Sequence, residues 1–336
     1  MNVLLTSVGR RAYMVKYFKE VLGDNGQVHV CNSDDKTVAF KYADNAVLSP
    51  LIYDDGYIDF LLDYCKNNKI DVLISLFDID LLVLSKNKQE FEKIGTKVIV
   101  SDEKVIEICN DKWKTYLFLK EHGFNVPKTY KSLQNAILAL DSGQLKYPII
   151  IKPRFGCGSI GMSIAEDEMA LLYYYRRNSR VISRSYLKYE SSSVDLDEQI
   201  LYQECLDGQE YGVDIINDLN GNFQNSIIKK KIAMRAGETD IAHIAKNDII
   251  FDETKKLAQK MKHIANMDCD VFLVDGKPYI LEMNARFGGG YPFSHLAGCN
   301  LPLAIVNWAE NMPVEKEILE TKKDIMAYKE LFIVQA

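Results

Sequence analysis

The chain has 336 residues, 47% of them hydrophobic and 26% charged, the make-up of a globular protein with room for two or three domains. A formal net charge of −6, relieved by one short basic run at Lys229-Lys230-Lys231, excludes nucleic acid as a partner. No cationic start runs into an apolar segment with a small-residue cleavage site, and no stretch is long enough to span a bilayer, so a cytoplasmic protein without a membrane partner is expected.

The first hundred residues alternate strand and helix patterns. Val3-Leu4-Leu5, Val28 to Cys31, Ala46 to Leu48, Val72 to Leu76 and Val98 to Val100 read as strands. Helical apolar spacing covers Ala12 to Leu22, Tyr57 to Cys65 and the region from Leu81 to Lys93. Such alternation predicts a parallel sheet covered on both faces. Ligands of these sheets bind beyond the carboxyl ends of the strands. Those ends carry Thr6 to Arg11, Asn32 to Asp35 and Leu76 to Asp80. Asp78 and Asp80 are therefore candidate small-molecule ligands, although helix capping explains Asp80 equally well. The first turn lacks G-x-G-x-x-G, so this domain is not expected to bind a nucleotide.

Asn110-Asp111-Lys112 opens a helix that runs to His122 and stops at Gly123. Tyr147 to Pro153 is a buried-looking strand that carries Lys152 at its end. Behind it, Gly156-Cys157-Gly158-Ser159-Ile160-Gly161 satisfies the dinucleotide fingerprint in form. That fingerprint needs a helix directly after its glycines, whereas Met162 to Ala165 reads as another strand. A glycine-rich turn between two strands is instead a flap whose exposed backbone N–H groups suit phosphates. No G-K-S or G-K-T is present, which excludes the P-loop. The polar stretch from Lys188 to Glu198 reads as a mobile loop. Ile200 to Cys205 is a strand leading through Leu206-Asp207-Gly208 into a second strand that contains Glu210. Lys229 and Lys231 share one face of the strand that follows, lining a phosphate channel or a solvated edge. A helix is expected over Asp252 to Ile264, and another over Pro302 to Ala309.

Val271 to Val274 and Tyr279 to Met283 are two apolar runs joined by Asp275-Gly276-Lys277-Pro278, the pattern of a β-hairpin. Asp270 opens the first strand. Glu282, Asn284 and Arg286 follow at alternate positions of the second and point one way while the strand lasts. Two carboxylates and an amide make a hard oxygen set suited to Mg²⁺ shared with phosphate oxygens. Arg286 beside them suits a transferring phosphoryl group. Seven cysteines without C-x-x-C spacing, five scattered histidines and no nucleophile elbow give no sign of a zinc site, a disulfide framework or a serine hydrolase.

The acid, the hairpin and the E-x-N-x-R at Glu282-Asn284-Arg286 resemble the metal-binding end of ATP-grasp ligases. The N-D-K, helix and H-G-F-x-V-P run from Asn110 to Pro127, and Lys152 before the flap, resemble the same family. Arg235-Ala236-Gly237-Glu238-Thr239 resembles its branch similar to the carbamoyl-phosphate synthase large subunit. The resemblance implies a Rossmann-like parallel-sheet domain over 1–108, a linker helix and small lobe over 109–206 and a large lobe over 207–336, mixed α/β and α+β in class. It implies ATP and Mg²⁺ (or Mn²⁺) as cofactors, with Lys112, Lys152, Lys231 and the backbone of Gly156, Gly158 and Ser159 on the phosphates. Gln203, Glu204 and Leu206 would border adenine, Glu210 would take the ribose, and Asp270, Glu282 and Asn284 the metal. Arg286 and Lys152 would serve the transfer. Gln203 stands where many relatives have a glutamate. A substrate wall is expected from Arg235, Glu238, Asp78, Asp80 and Gly289, suited to an amino acid or a similar small carboxylate, with an amine as its partner. A carboxylate kinase or carboxylating enzyme, and a nucleotide-binding protein without turnover, are the other classes open; a homo-oligomer is left open too.

Overall fold

The computed structural model describes residues 1–322 and 324–335. Strands β1 (Asn2–Thr6), β2 (Gln27–Asn32), β3 (Asn45–Leu48), β4 (Val72–Ser75) and β5 (Lys97–Val98) form a parallel sheet in the order β3-β2-β1-β4-β5. The helix Ala12–Leu22 buries Met14, Val15, Phe18 and Leu22, and Tyr57–Asn67 buries Tyr57, Leu61 and Cys65, one stripe each at helical spacing. The single helix expected over Leu81 to Lys93 is two, Asp78–Lys86 and Lys88–Lys93. Asn87 separates them by donating its side-chain amide to Val83 O at 2.8 Å, a local bond that competes with the helical ladder. Strand order reverses between β1 and β4, so the loops after these two strands flank the crevice where such sheets take ligands.

A second sheet is antiparallel, with β6 (Thr129–Tyr130), β7 (Ile149–Pro153), β8 (Ser163–Ala165) and β9 (Ile200–Glu204) in the order β6-β9-β7-β8. Helices Leu133–Asp141 and Glu168–Arg184 cover it, and Ala136, Ile149, Ile151, Leu171, Ile200 and Tyr202 belong to a core of its own. The glycine flap joins β7 to β8. The stretch read as a mobile loop is built otherwise: it holds a helical turn at Lys188–Ser191 and a 3₁₀ turn at Leu196–Glu198, and Ser191 is fully buried. Tyr189 stacks on Tyr53 of the first domain with ring centroids 3.9 Å apart, and Tyr53 Oη donates to Glu190 Oε1 at 2.6 Å. Stacking and a charge-assisted bond fix this segment as a bridge.

The third sheet is antiparallel, built from β10 (Gln209–Asn217), β11 (Phe223–Arg235), β12 (Glu238–Ile244), β13 (Ala265–Val274), β14 (Lys277–Asn284) and β15 (Met326–Tyr328) in the order β14-β13-β10-β11-β12-β15. The helix expected over Asp252 to Ile264 runs from Asp248 to Met261, because Asn247 caps it early by accepting from Ile250 N. In the β13–β14 hairpin only Asp275 and Gly276 lie outside the strands, with φ of 48° and 74°. These angles make the two-residue turn that matches strand twist. Lys277 pairs with Val274, and Pro278 is accommodated because β14 is an edge strand. Asp268 lies opposite Asn284 and Asp270 opposite Glu282, but Val271 lies opposite Ile280. Leu281 is therefore an extra residue, a β-bulge. Ile280 and Met283 both face the core while Leu281 and Glu282 both face the cleft. The buried apolar residues of the parallel sheet and the six-stranded sheet merge into common clusters.

Candidate active site

A cleft of ≈ 480 Å³ opens between the two antiparallel sheets. Ile150, Ile160, Met162, Leu206, Phe272 and Leu281 give it apolar walls, and Lys112, Lys152, Lys231, Glu210, Asp270 and Glu282 converge within it. Gly156, Ser159, Gln203 and Glu204 also line it. Gly158 sits at the flap tip, against the turn between β11 and β12. A Cβ on Gly237 of that turn would lie 2.8 Å from Gly158 O, and Gly237 has φ +79°, so this contact requires glycine twice over. A larger groove of ≈ 680 Å³ lies beside Phe223 and Phe251, but its charged residues, Lys255, Lys262, Glu315, Lys316 and Glu320, are all exposed. Buried converging ionisable groups mark the smaller cleft as the chemical one.

Each lysine is held differently. Asp111 caps the helix Lys112–Glu121 by accepting from Trp113 N and Lys114 N, and accepts two further bonds of 2.8 Å from Arg154 Nε and Nη2. Lys112 N donates to Arg154 O at 3.1 Å, so the ion pair fixes where the lysine emerges. Its ammonium reaches Gly156 O at the base of the flap and lies 3.4 Å from Glu282. Lys152, 8% exposed, has a neutral partner, Gln203 Oε1 at 2.9 Å. Gln203 Nε2 is anchored on Thr129 Oγ1 at 2.8 Å. Burial, with the charge of Lys112 adding to it, lowers Lys152 to about 8, against the pull of Glu282 and Asp270. Lys231 lies 2.6 Å from both Glu210 and Asp270. Burial opposes its charge, but these two acids raise its pKa. Lys229 shares its face yet serves elsewhere: it is buried on Asp214, which also accepts from Ser294. Gly212 leaves room for both stems, since a Cβ there would meet Lys231 Cε at 3.2 Å and Lys229 Cε at 3.6 Å.

At the metal end, Asp270, Glu282 and Asn284 share the cleft face with Asp268, which the sequence reading missed because it precedes the apolar run. Burial by the cleft walls, with Asp268, Glu210 and Glu282 nearby, raises Asp270 to about 6 even though Lys231 opposes this. The Asn284 side chain makes no hydrogen bond among the described residues, and the cation near Glu282 is Lys112 at 3.4 Å. No three His, Cys, Asp or Glu side chains gather as a complete cage among the described residues. Two carboxylates and an amide with open coordination nevertheless fit Mg²⁺, which takes few protein ligands and completes its shell with phosphate and water.

Arg286 points to the parallel sheet. Its Nε and Nη2 donate to Asp78 Oδ2 at 3.1 and 3.0 Å, and Nη1 donates to Asp268 Oδ2 at 3.1 Å. Burial works against its charge, but the two acids raise its pKa. Burial likewise raises Asp78, and Arg286 more than offsets it, holding the carboxyl below its usual range. The Asp78 placement thus brings it to the site. Asp80 is a correction: it is fully buried and accepts from Thr6 at 2.8 Å, Ser7 at 3.0 Å, Tyr57 at 3.1 Å and Ser75. Those four hydroxyls leave it no role toward a ligand; it ties the ends of β1 and β4 together. Arg235 is a second correction. It lies on the exposed β11–β12 hairpin, paired with Asp240, and does not join Arg286. Glu238, itself half exposed, does lie against Gly289: a Cβ there would be 3.1 Å from its carboxyl carbon. Burial raises Glu238, while Lys329 at 2.9 Å and the nearby Arg11 and Arg10 lower it further. Arg11, which reaches Leu76 O and Phe287 O, brings the positive charge expected of Arg235. No helix among the described residues is long and apolar enough to cross a membrane.

Two antiparallel lobes thus close on buried lysines and paired carboxylates beside a parallel-sheet crevice. A family model described as "ATP-grasp domain" matches residues 109–290, and one described as "PylC-like, N-terminal domain" matches residues 3–99. The chain belongs to the ATP-grasp family, as its motifs implied. Among curated relatives, the carbamoyl phosphate synthase large chain of Clostridium beijerinckii is 24% identical over 318 residues, 90% of this chain and 27% of the relative. The chain thus spans about a quarter of the length of such relatives. Among solved structures, the L-amino acid ligase from Bacillus licheniformis is similar with a TM-score of 0.73 at 19% identity, over 99% of this chain and 81% of that one. The biotin carboxylase from Campylobacter jejuni gives 0.71 at 17%, over 95% and 73%. These structural likenesses establish the fold.

Proposed function

We propose that the protein is a carboxylate–amine ligase acting through an acyl phosphate. The observation that carries this reading is the convergence of Lys112, Lys152 and Lys231 with Asp270 and Glu282 in one cleft, with Arg286 just beyond β14 and held on Asp268 and Asp78. ATP lies with adenine between the apolar walls near Leu206 and Phe272, ribose at Glu210 and phosphates under the flap. Lys112 and Lys152 bind the phosphate oxygens. Glu282, Asn284 and Asp270 would hold Mg²⁺, which supplies neutralisation of the charge that builds up between two anions. Arg286, held by Asp78 and Asp268, orients the substrate carboxylate toward the γ-phosphorus. A carboxylate oxygen takes the phosphoryl group as ADP leaves. An amine nitrogen then forms the C–N bond, the C–O bond to phosphate breaks, and the nitrogen's proton departs on the phosphate. The flap pressed on Gly237 keeps water from the acyl phosphate.

The acid is proposed to be an amino acid or a similar small carboxylate, recognised by Glu238, Arg11 and the chain at Gly289. An L-amino acid ligase among the structural neighbours supports this class. Residues 1–108, 109–206 and 207–336 are proposed as its working units. A screen of amino acids, small acids and bicarbonate with Mg-ATP, with and without amines, tests the reading. Amine-stimulated release of phosphate and ADP is expected. ADP release that no amine increases would overturn the ligase assignment.

A further inference from the structure

Beside the cleft lies a small cavity of ≈ 20 Å³ bordered by Asp78, Cys157, Tyr186, Glu190 and Asn284. It shares Phe155, Gly156 and Cys157 with the nucleotide cleft, and so adjoins the place where phosphate is transferred. Two oxygens of its bordering residues, Asp78 Oδ1 and Glu190 Oε2, are buried and have no hydrogen-bond partner among the described residues. Asp78 as a residue is 8% exposed. The other oxygen of each carboxylate is taken, Asp78 Oδ2 by Arg286 and Glu190 Oε1 by Tyr53. A buried acceptor without a donor is costly, so two of them bordering one cavity call for a donor that arrives with a ligand. Arg286 balances Asp78, but no cation pairs with Glu190 among the described residues. Burial raises the pKa of Glu190, as expected of a carboxyl that lacks a cation, and the cavity has room for one water-sized group.

We infer that this cavity seats the nitrogen of the amine acceptor, so that the acceptor is ammonia or a primary amine entering as its ammonium. The inference rests on the ligase reading above. Its ammonium donates to Asp78 Oδ1 and Glu190 Oε2, each bond charge-assisted, and one proton passes to Glu190 so that the neutral amine attacks, its second proton leaving on the phosphate. A nitrogen with two or more alkyl groups exceeds the space.

The test has an arm that needs no knowledge of the acid. Crystals of the full chain soaked in thallium(I) acetate, a monovalent cation in place of ammonium, are expected to show an anomalous peak contacting Asp78 and Glu190. Glu190→Gln should abolish it, and absence of the peak in the wild type overturns the inference. In the phosphate-release assay with ammonium chloride, Glu190→Gln should raise the ammonium KM about tenfold, the loss of one charge-assisted bond, while the KM for ATP stays within about twofold. Tyr53→Phe keeps the charge and removes only its anchor; an equal rise in both variants overturns the inference, because anchoring rather than charge would then be responsible. Dimethylamine supporting turnover as well as ammonium does so too. Absence of amine stimulation in the wild type overturns the ligase reading itself, which the thallium arm leaves separate.

Discussion

Raising the pH from about 7 to about 9 is expected to weaken Mg-ATP binding about tenfold, through Lys152 alone. Lys152 is buried against the neutral amide of Gln203, which places its pKa at about 8 in the free enzyme. Phosphate oxygens favour the ammonium, so the bound form keeps its proton over the whole range. The apparent dissociation constant then scales with one plus the ratio of neutral to charged Lys152, about 1.1 near pH 7 and about 11 near pH 9. Near pH 8, binding should take up about 0.5 proton per nucleotide. Calorimetry in two buffers of different ionisation enthalpy measures this uptake directly. Asp270 at about 6 and Cys157, pushed up by burial to about 12, lie outside the window. Gln203→Glu sets a carboxylate where an amide oxygen now lies 2.9 Å from the ammonium. That variant should bind Mg-ATP with no dependence on pH between about 7 and 9 and take up no proton. For the unliganded fold the sign follows from a pKa lowered from 10.5: burying the ammonium costs about 3 kcal/mol below pH 8, and stability rises through the window from 8 to 10.5 as that cost is relieved. Wild-type affinity that stays flat to about pH 9, with no proton uptake, would refute a depressed Lys152.

Glu282→Gln should reduce metal-dependent phosphate release by about a hundredfold or more while circular dichroism and Tm stay close to wild type, since Glu282 lies on the cleft face and not in the core. Gly237→Ala strains a residue at φ +79° and pushes on Gly158 O; the expected result is a several-fold loss of kcat and faster hydrolysis of ATP without product, read as uncoupled ADP release. Protease nicking between Phe155 and Met162 should slow when Mg-ATP is added, and Lys152→Ala should remove that protection. Arg235→Ala is expected to leave the KM of the acid within about twofold, whereas Glu238→Ala raises it about tenfold, a split that follows from Glu238 lying against Gly289 while Arg235 pairs with Asp240.

Alternation and turn chemistry made the hairpin legible: Asp270, Glu282 and Asn284 were found from spacing, and all three lie on one face. The bulge at Leu281 was not, because it depends on which residues of β13 pair with β14. Lys112 and Lys152 were found by motif, but the clamp that aims Lys112, Arg154 on Asp111, links positions 43 residues apart that no local pattern joins. Asp80 shows the same limit. Its place in the first turn of a helix admits either capping or binding, and the four hydroxyls that decide the matter come from β1, the loop after it, β4 and the helix at Tyr57. Arg235 was misplaced because a hairpin turn sends its side chain to whichever neighbour the strand pairing supplies, here Asp240.

The extra residue at Leu281 also sets how this chain tolerates insertion and deletion. Ile280 and Met283 are both inside, so two consecutive side chains, one apolar and one acidic, meet the nucleotide from the same strand. Removing Leu281 would restore unbroken alternation to β14, with Ile280 and Met283 still on the core and Glu282 and Asn284 still on the cleft, so the deletion would take one apolar side chain from the cleft and leave the acid and the Asp275-Gly276 turn in place. An alignment that closes this position as a gap therefore keeps both the acid and the turn in register. A graft of the hairpin could shed the irregularity and keep the acid and the amide on one face.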